Sequence, residues 1–230
     1  VLVQSVLPMD PDERIEAIID TRDYESHRYL VAFTKKGQVK KTKFSDYDSR
    51  NQVLVAISLA DDDEVVAVRA TSGDADLVMV TREAMAIRFA EADARPMGRD
   101  TRGVRGIKLR EGDEVVSAAI ATDGSEILFL TSGGYGKRTA ISEFPRQKRG
   151  GIGVKAMKLT RVRGELVAAL AVAGDDQIFV TSTDGIVIRQ AAREISRQKR
   201  ASTGVRVMNL GEGTRLAAAA LVPREDDAEL

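Results

Sequence analysis

Four segments of this chain repeat one pattern at a spacing of about 50 residues, the period range of propellers and other arrays. They are LVAFTKKGQVKKT (Leu30 to Thr42), LVMVTREAMAIRF (Leu77 to Phe89), ILFLTSGGYGKRT (Ile127 to Thr139) and IFVTSTDGIVIRQ (Ile178 to Gln190). Each is a short apolar run, a Thr, a turn and a second run with a basic residue near its end. The Thr residues are 34, 81, 131 and 181. A second signature recurs in step with the first: GVRGIKL from Gly103, GVKAMKL from Gly153 and GVRVMNL from Gly204, with apolar ends at Leu59, Leu109, Leu159 and Leu210. One structural unit has been copied, so the surface that acts is expected to be a repeated surface.

The paired runs read as β-hairpins, because β-branched and aromatic residues flank turn formers at Lys36-Gly37, Gly133-Gly134 and Asp184-Gly185. Glu83-Ala84 lacks a Gly and is the weakest turn signal. After each hairpin comes a polar connection of roughly 10–15 residues, long for a compact domain and therefore suspected of function. The GVR-type strand follows, then a polar turn, then a further apolar strand such as EVVAVRA or EVVSAAI. Four strands per unit is the content of a propeller blade. The expected divisions are the second half of a truncated or strand-exchanged blade over 1–22, blades over 23–70, 71–120, 121–172 and 173–222, and an acidic tail over 223–230. The expectation is thus all-β, with about four complete four-stranded blades after a leading half unit.

Composition matters here mainly through charge. The chain has 35 basic and 35 acidic residues and no formal net charge, so bulk charge does not argue for a polyanion partner. Position does. The hairpin exits are basic, at Lys40, Lys41, Arg88, Lys137, Arg138 and Arg189. The connections and GVR strands add Arg102, Arg105, Arg146, Lys148, Arg149, Lys155, Lys199, Arg200 and Arg206. Acidic residues collect in the turns after the GVR strand, at Asp61 to Glu64 and Glu111 to Glu114, and before the hairpins, as at Asp76 and Glu126. The third unit breaks this pattern with Arg161 and Arg163 at its turn. Since one element of every blade lands on the same rim, equal totals can still give one basic band, a track for a bent polyanion. A propeller that docks an acidic protein partner on the same band is the alternative.

One connection differs from the rest. Gln147, Lys148 and Arg149 stand directly before Gly150 and Gly151, with Gly153 just beyond. Glycines let a backbone approach a ligand closely, exposed N–H groups can form an anion nest, and the flanking cations and amide suit phosphate oxygens. A second copy, RQKRASTGVRVMNL from Arg197, keeps the charges but has Ala201 and Ser202 in place of the two glycines.

The box from Gln147 to Val154, the hairpins TSGGYGKRTAI and TKKGQVKKTKF, and the segment RPMGRDTRGVRG resemble the C-terminal domain of the DNA gyrase A subunit, whose usual box is Q-R-R-G-G-K-G followed by Val or Ile. The resemblance covers essentially all of the chain and is closest to actinobacterial gyrases; the C-terminal domain of topoisomerase IV is similar. It implies a β-pinwheel, a propeller-like fold with strands exchanged between neighbouring blades, that wraps duplex DNA about a basic rim. The family domain usually has six blades with its best box in the first; here the clearest box lies in the third complete unit, and Ile152 stands where the family prefers Lys. The implied partners are double-stranded DNA, the rest of the gyrase A protein and the gyrase B protein. The implied role is to orient the segment passed during negative supercoiling, near the nucleoid. ATP and Mg belong by implication to the parent enzyme and not to this chain.

Catalytic groups are sparse. There is no Cys, so disulfides, thiolate metal sites and Cys nucleophiles are excluded. The single His, His27, has no second His or Cys to build a metal set with. The glycine pairs lack the strand–loop–helix setting of a nucleotide loop. The absence of Trp argues against a sugar-stacking pocket. No apolar stretch approaches the ~18 residues of a membrane span and no secretory leader is visible, so a cytoplasmic, non-enzymatic module without a cofactor is the expectation.

Overall fold

A computed structural model describes residues 15, 17–19, 27–51, 53–122 and 124–222. The half unit expected over 1–22 lies outside these residues except for 15 and 17–19, and the tail over 223–230 lies outside them entirely. The rest is all-β. The first unit holds β1 (Tyr29–Thr34), β2 (Gln38–Lys43) and β3 (Val65–Thr71). The second holds β4 (Asp76–Thr81), β5 (Met85–Ala90), β6 (Val104–Arg105) and β7 (Val115–Ala121). The third holds β8 (Glu126–Thr131), β9 (Tyr135–Ala140), β10 (Val154–Lys155) and β11 (Leu166–Val172). The fourth holds β12 (Gln177–Ser182), β13 (Val187–Ala191), β14 (Val205–Arg206) and β15 (Leu216–Leu221).

The recurrent Thr clamps the turn of the first two hairpins, while in the third Thr131 donates to the Tyr135 carbonyl at 3.3 Å. Thr34 and Thr81 accept the backbone N–H four residues on, from Gln38 and Met85, each at 3.2 Å. In the fourth hairpin this role falls to Ser182, which accepts from Ile186 at 3.1 Å, so Ser182 and not Thr181 is the true equivalent. The register shift in the pairing with the fourth strand of the unit agrees: it falls at Phe33/Thr34, Val80/Thr81 and Thr181/Ser182. The turns need one left-handed residue, which is Gly37, Gly134 or Gly185 in three hairpins and Ala84, at φ 58°, in the second. Ala84 takes that conformation at a steric cost, and its turn has no glycine to announce it.

The strands assemble into antiparallel sheets of order β3-β1-β2-β6, β7-β4-β5-β10, β11-β8-β9-β14 and β15-β12-β13. The four strands counted along each sequence unit are therefore not the four strands of one sheet. The GVR strand of each unit crosses to the hairpin of the unit before it: β6 pairs with β2, β10 with β5 and β14 with β9. The first GVR-like segment, residues 53–60, has no such hairpin to join among the described residues; it forms no strand and leaves Val53 and Val55 exposed. The fourth hairpin receives no later GVR strand among the described residues, so its sheet has three strands.

Strands β3, β7, β11 and β15 pack on one another in series and form the inner edges of the sheets. Small side chains there, among them Ala118, Ala119, Ala168 and Ala169, let the strands converge. Between consecutive sheets lie apolar cores shared by neighbouring units. Phe33, Val39, Leu77, Met79, Phe89 and Ile107 form one, and Val78, Phe129, Phe144, Met157 and Leu166 form the next. The short GVR strands are left at the opposite, outer edges.

Candidate nucleic-acid interface

Each outer edge is built the same way. The connection enters beside the end of the previous hairpin: Met97, Gln147 and Gln198 donate their backbone N–H to Lys41, Arg88 and Arg138 carbonyls at 2.8 Å. It then passes through the GVR glycine. Gly103, Gly153 and Gly204 all have positive φ, and a Cβ on them would lie 2.6, 2.4 and 2.6 Å from the carbonyl oxygens of Val39, Ala86 and Gly136. The close approach that the glycine permits is thus to the neighbouring unit's backbone.

Successive edges are stitched together. Ser58, Lys108 and Lys158 donate backbone N–H groups to Thr101, Gly151 and Ser202 of the following connection, at 3.2, 2.8 and 3.0 Å. The box arginines follow the same rule: Arg149 reaches the Arg105 carbonyl at 3.0 Å and Arg200 the Lys155 carbonyl at 3.2 Å. The cations at Arg105, Lys155 and Arg206, and those at Arg99, Arg149 and Arg200, therefore occupy equivalent places on edges that touch. Among the sequence-predicted residues, Arg102, Arg105, Arg146, Lys148, Lys155, Arg189, Lys199 and Arg206 are exposed there. Gln147, Arg149, Gly150, Gly151, Gly153 and Arg200 are half-buried in the same band.

Five of the six hairpin-exit cations, all but Arg189, lie elsewhere, and here the geometry corrects the sequence reading. Lys40, Lys41 and Lys137 are buried. Lys137 Nζ donates to the Lys199 and Arg200 carbonyls at 2.7 and 2.5 Å, beneath the second box. Lys40 Nζ donates to the Ala56 carbonyl and Thr42 Oγ1, both at 2.7 Å. Burial lowers both ammonium pKa values to about 8. Lys41 lies 3.6 Å from Glu91 and 4.7 Å from the centre of the Tyr29 ring. Arg88 and Arg138 are half-buried and paired with Asp76 and Glu126. These five side chains hold connections in place and do not face outward. Lys40 and Lys41 are neighbours on β2, and Lys137 and Arg138 on β9, so each pair points to both faces of its sheet, and each face is covered: Lys40 reaches the Ala56 carbonyl and Lys41 that of Glu91, Lys137 the Lys199 carbonyl and Arg138 that of Ile195.

The glycine box is likewise more structural than its composition suggests. The Gly150 N–H is taken by the Gly106 carbonyl at 2.6 Å, so it is not a free anion donor. Arg149 also donates to the Asp93 carbonyl at 2.8 Å. Lys148 is the box cation whose side chain projects without a protein partner among the described residues. Two carboxylates, Asp76 and Glu126, have a role at the edge that their sequence context does not reveal. Each begins a hairpin and holds an arginine of the next connection, Arg146 or Arg197. Their recurrence at the same place in consecutive units is the available signal. Among the described residues no cluster of His, Cys, Asp and Glu could hold a metal ion, and no helix is long and apolar enough to cross a membrane.

Comparison with known proteins agrees with this architecture. The family described as "DNA gyrase C-terminal domain, beta-propeller" matches residues 28–72, 75–122, 125–173 and 176–223. The DNA gyrase A protein of Mycolicibacterium smegmatis is 42% identical over 229 residues, covering 98% of this chain and 27% of that protein. The gyrase A protein of Mycobacterium tuberculosis H37Rv is 45% identical over 222 residues, covering 95% and 26%. The chain thus spans about a quarter of the length of these relatives. The solved C-terminal domain of a DNA topoisomerase IV superposes with a TM-score of 0.91 at 28% identity, over 99% of this chain and 72% of the other. A DNA gyrase A C-terminal domain superposes with a TM-score of 0.85 at 27% identity, over 95% and 74%. Repeat, strand exchange and profile agree: the chain belongs to the family of DNA gyrase C-terminal domains.

Proposed function

We propose that this chain is the non-catalytic module of a type II topoisomerase that binds duplex DNA without sequence preference and bends it around its outer edge. The observation that carries this reading is the stitched outer edge, where exposed cations recur at equivalent places on touching connections. Lys148, Lys155, Lys199, Arg102, Arg105, Arg146 and Arg206 are the proposed phosphate contacts on that edge, with Lys108 and Arg189 beside them. The buried Lys40, Lys41 and Lys137 and the paired Arg88 and Arg138 support the path from beneath. Lysines and arginines spread along an edge suit phosphates, whose contacts carry no sequence information, so sequence should matter little.

Bending a 20–30 bp segment by 40–90° costs on the order of 1–6 kcal/mol, so several contacts must act together. A repeated edge supplies them in series. In the parent enzyme the bent segment would be presented to the cleavage core with a defined crossing, and ATP and Mg would act on that larger assembly with the gyrase B protein. The module would work where the chromosome is.

The test is the salt dependence of duplex binding. The logarithm of affinity should fall with the logarithm of salt by roughly 0.9 per phosphate neutralised, and Lys148→Ala should lower the slope by about that amount. A flat response, or binding confined to an acidic protein, would overturn the reading.

A further inference from the structure

The face formed by the hairpin turns changes character along the chain. At the first two units its cations are all neutralised. Lys36 pairs with Asp62 at 2.6 Å, Lys35 with Glu64 at 3.4 Å, Arg82 with Glu114 at 3.2 Å and Arg110 with Glu83 at 3.8 Å. At the third and fourth units the surplus of carboxylates is lost: Glu165, Asp184 and Glu212 stand against Arg161, Arg163 and Arg215. Arg161 stands where the earlier turns have Asp61 and Glu111, and Arg215 where the earlier three have Glu64, Glu114 and Glu165. Arg161, Arg163 and Arg215 have no ion-pair partner among the described residues.

Arg161 and Arg215 line one recess of about 420 Å³ with Ser132, Gly133 and Thr214. Its one carboxylate, Glu165, is drawn toward Arg82 at 3.5 Å. Close to Arg161 in sequence, Arg163 lies with its guanidinium 4.7 Å from the centre of the Tyr135 ring, and its Nε is buried without a hydrogen-bond partner. A second guanidinium shares that ring. Arg206, from the outer strand β14, lies 5.4 Å from its centre and donates to the Tyr135 hydroxyl at 3.0 Å. Tyr135 therefore joins a cation of the outer edge to the cations of the turn face. Arg161 and Arg215 share their recess with one carboxylate that is already engaged, and Arg163 and Arg206 share one ring, so a polyanion crossing both places would neutralise guanidiniums that have no ion pair among the described residues.

We propose that Arg161, Arg163 and Arg215 form a second phosphodiester-binding site, reached from the outer edge through Arg206 and Tyr135, by which duplex DNA leaves the plane of the edge toward the hairpin-turn face. The departure gives the bent duplex a pitch, and a pitch of one hand is what turns a planar bend into a crossing. An acidic protein is the competing ligand; continuity with Arg206 favours DNA, because the same strand that meets phosphates on the edge delivers the next contact.

This inference rests on the edge-binding reading, and its test separates the two. The 230-residue chain and the variant Arg161→Glu/Arg215→Glu are bound to a short duplex and to a nicked plasmid that is then religated. Arg161→Ala/Arg215→Ala is the milder second variant; both positions are exposed and outside the sheet cores, so folding is retained. On the short duplex, affinity should stay within about twofold, since the outer edge suffices. On the plasmid, the linking-number shift per bound chain should fall by at least half, and the salt slope should drop by about 1.8 for two phosphates. An unchanged shift and slope in both variants would overturn the second site and leave the edge standing. Loss of binding to polyglutamate with an unchanged linking shift would overturn it in favour of a protein ligand. Failure of the unaltered chain to bind either DNA would overturn both.

Discussion

Arg88 and Arg146, which belong to different units, share one buried carboxylate. Asp76 accepts from Arg88 Nε through one oxygen and from Arg146 Nε through the other, both at 2.7 Å. Glu126 repeats the arrangement with Arg138 and Arg197 one unit later. The first unit has Tyr29 in that place and solves the problem differently, with the Lys41 ammonium over the ring. The clasp ties a hairpin to the connection that arrives from the next unit, and that connection carries the glycine box.

Asp76→Asn should lower stability by about 3 kcal/mol, because Arg88 is left buried without its counter-ion. Arg146→Ala should cost far less, since the Arg146 side chain is 59% exposed and its pairing is screened by water. Urea unfolding midpoints at constant m would show the difference. Equal losses would mean that the clasp acts through Arg146 and not through burial of Arg88.

The box glycines should separate by position. Gly153→Ala places a Cβ 2.4 Å from the Ala86 carbonyl at a φ of +73°, and should cost about 3 kcal/mol or abolish folding. Gly151→Ala meets nothing nearer than Ile87 Cδ1 at 3.6 Å and should cost under about 1 kcal/mol. If Gly151→Ala folds normally but loses duplex binding, the glycine is a ligand contact after all.

Ala84→Gly offers the opposite sign. Ala84 has φ 58°, which costs an L-residue roughly 1–2 kcal/mol relative to glycine. Offset by the larger chain entropy of glycine, the variant should gain about 0.5 kcal/mol, visible as a rise in thermal midpoint. A loss would mean that the Ala84 methyl, which is fully buried, contributes more by packing than the turn costs.

Stability should rise between pH 8 and 10. Lys40 and Lys137 have native pKa values of about 8 against a usual 10.5, so over that window the unfolded chain binds more protons than the native one. The stabilisation is complete above 10.5 and is lost as pH falls through 8. Arg200 and Glu143 are the charged groups facing Lys137, and Asp100, Asp46 and Arg99 those facing Lys40; burial outweighs all of them. Tyr47, raised by burial, opposes the trend above about pH 10. Lys137→Ile, which copies the residue found at the equivalent positions Ile87 and Ile188, should remove about half of the rise. Chemical unfolding from pH 7 to 10 measures it, and an identical profile in the variant would place the titration elsewhere.

Much of the fold is legible because a copied unit exposes its own grammar. The hairpins of Leu30 to Thr42 and Ile127 to Thr139 announce themselves by alternation and by glycine at the left-handed position. The slip at Thr181, where Ser182 holds the turn, shows the limit: the turn has the same length as the others, but a Thr one position early in the strand takes on the look of the turn residue. The site is legible only in part. Lys137 and Lys148 are alike as letters, yet one lies beneath a connection with its ammonium on two carbonyls and the other faces outward.

Sequence alone determined the unit, its β character, its number of described copies and the kinship with its relatives, because these depend on local pattern and spacing. Tertiary structure decided which unit each GVR strand completes, which cations are turned inward and which edges touch. Those outcomes depend on pairing between residues far apart in the chain, as Arg88 with Arg146 or Gly153 with Ala86, and no local pattern encodes the partner of such a pair.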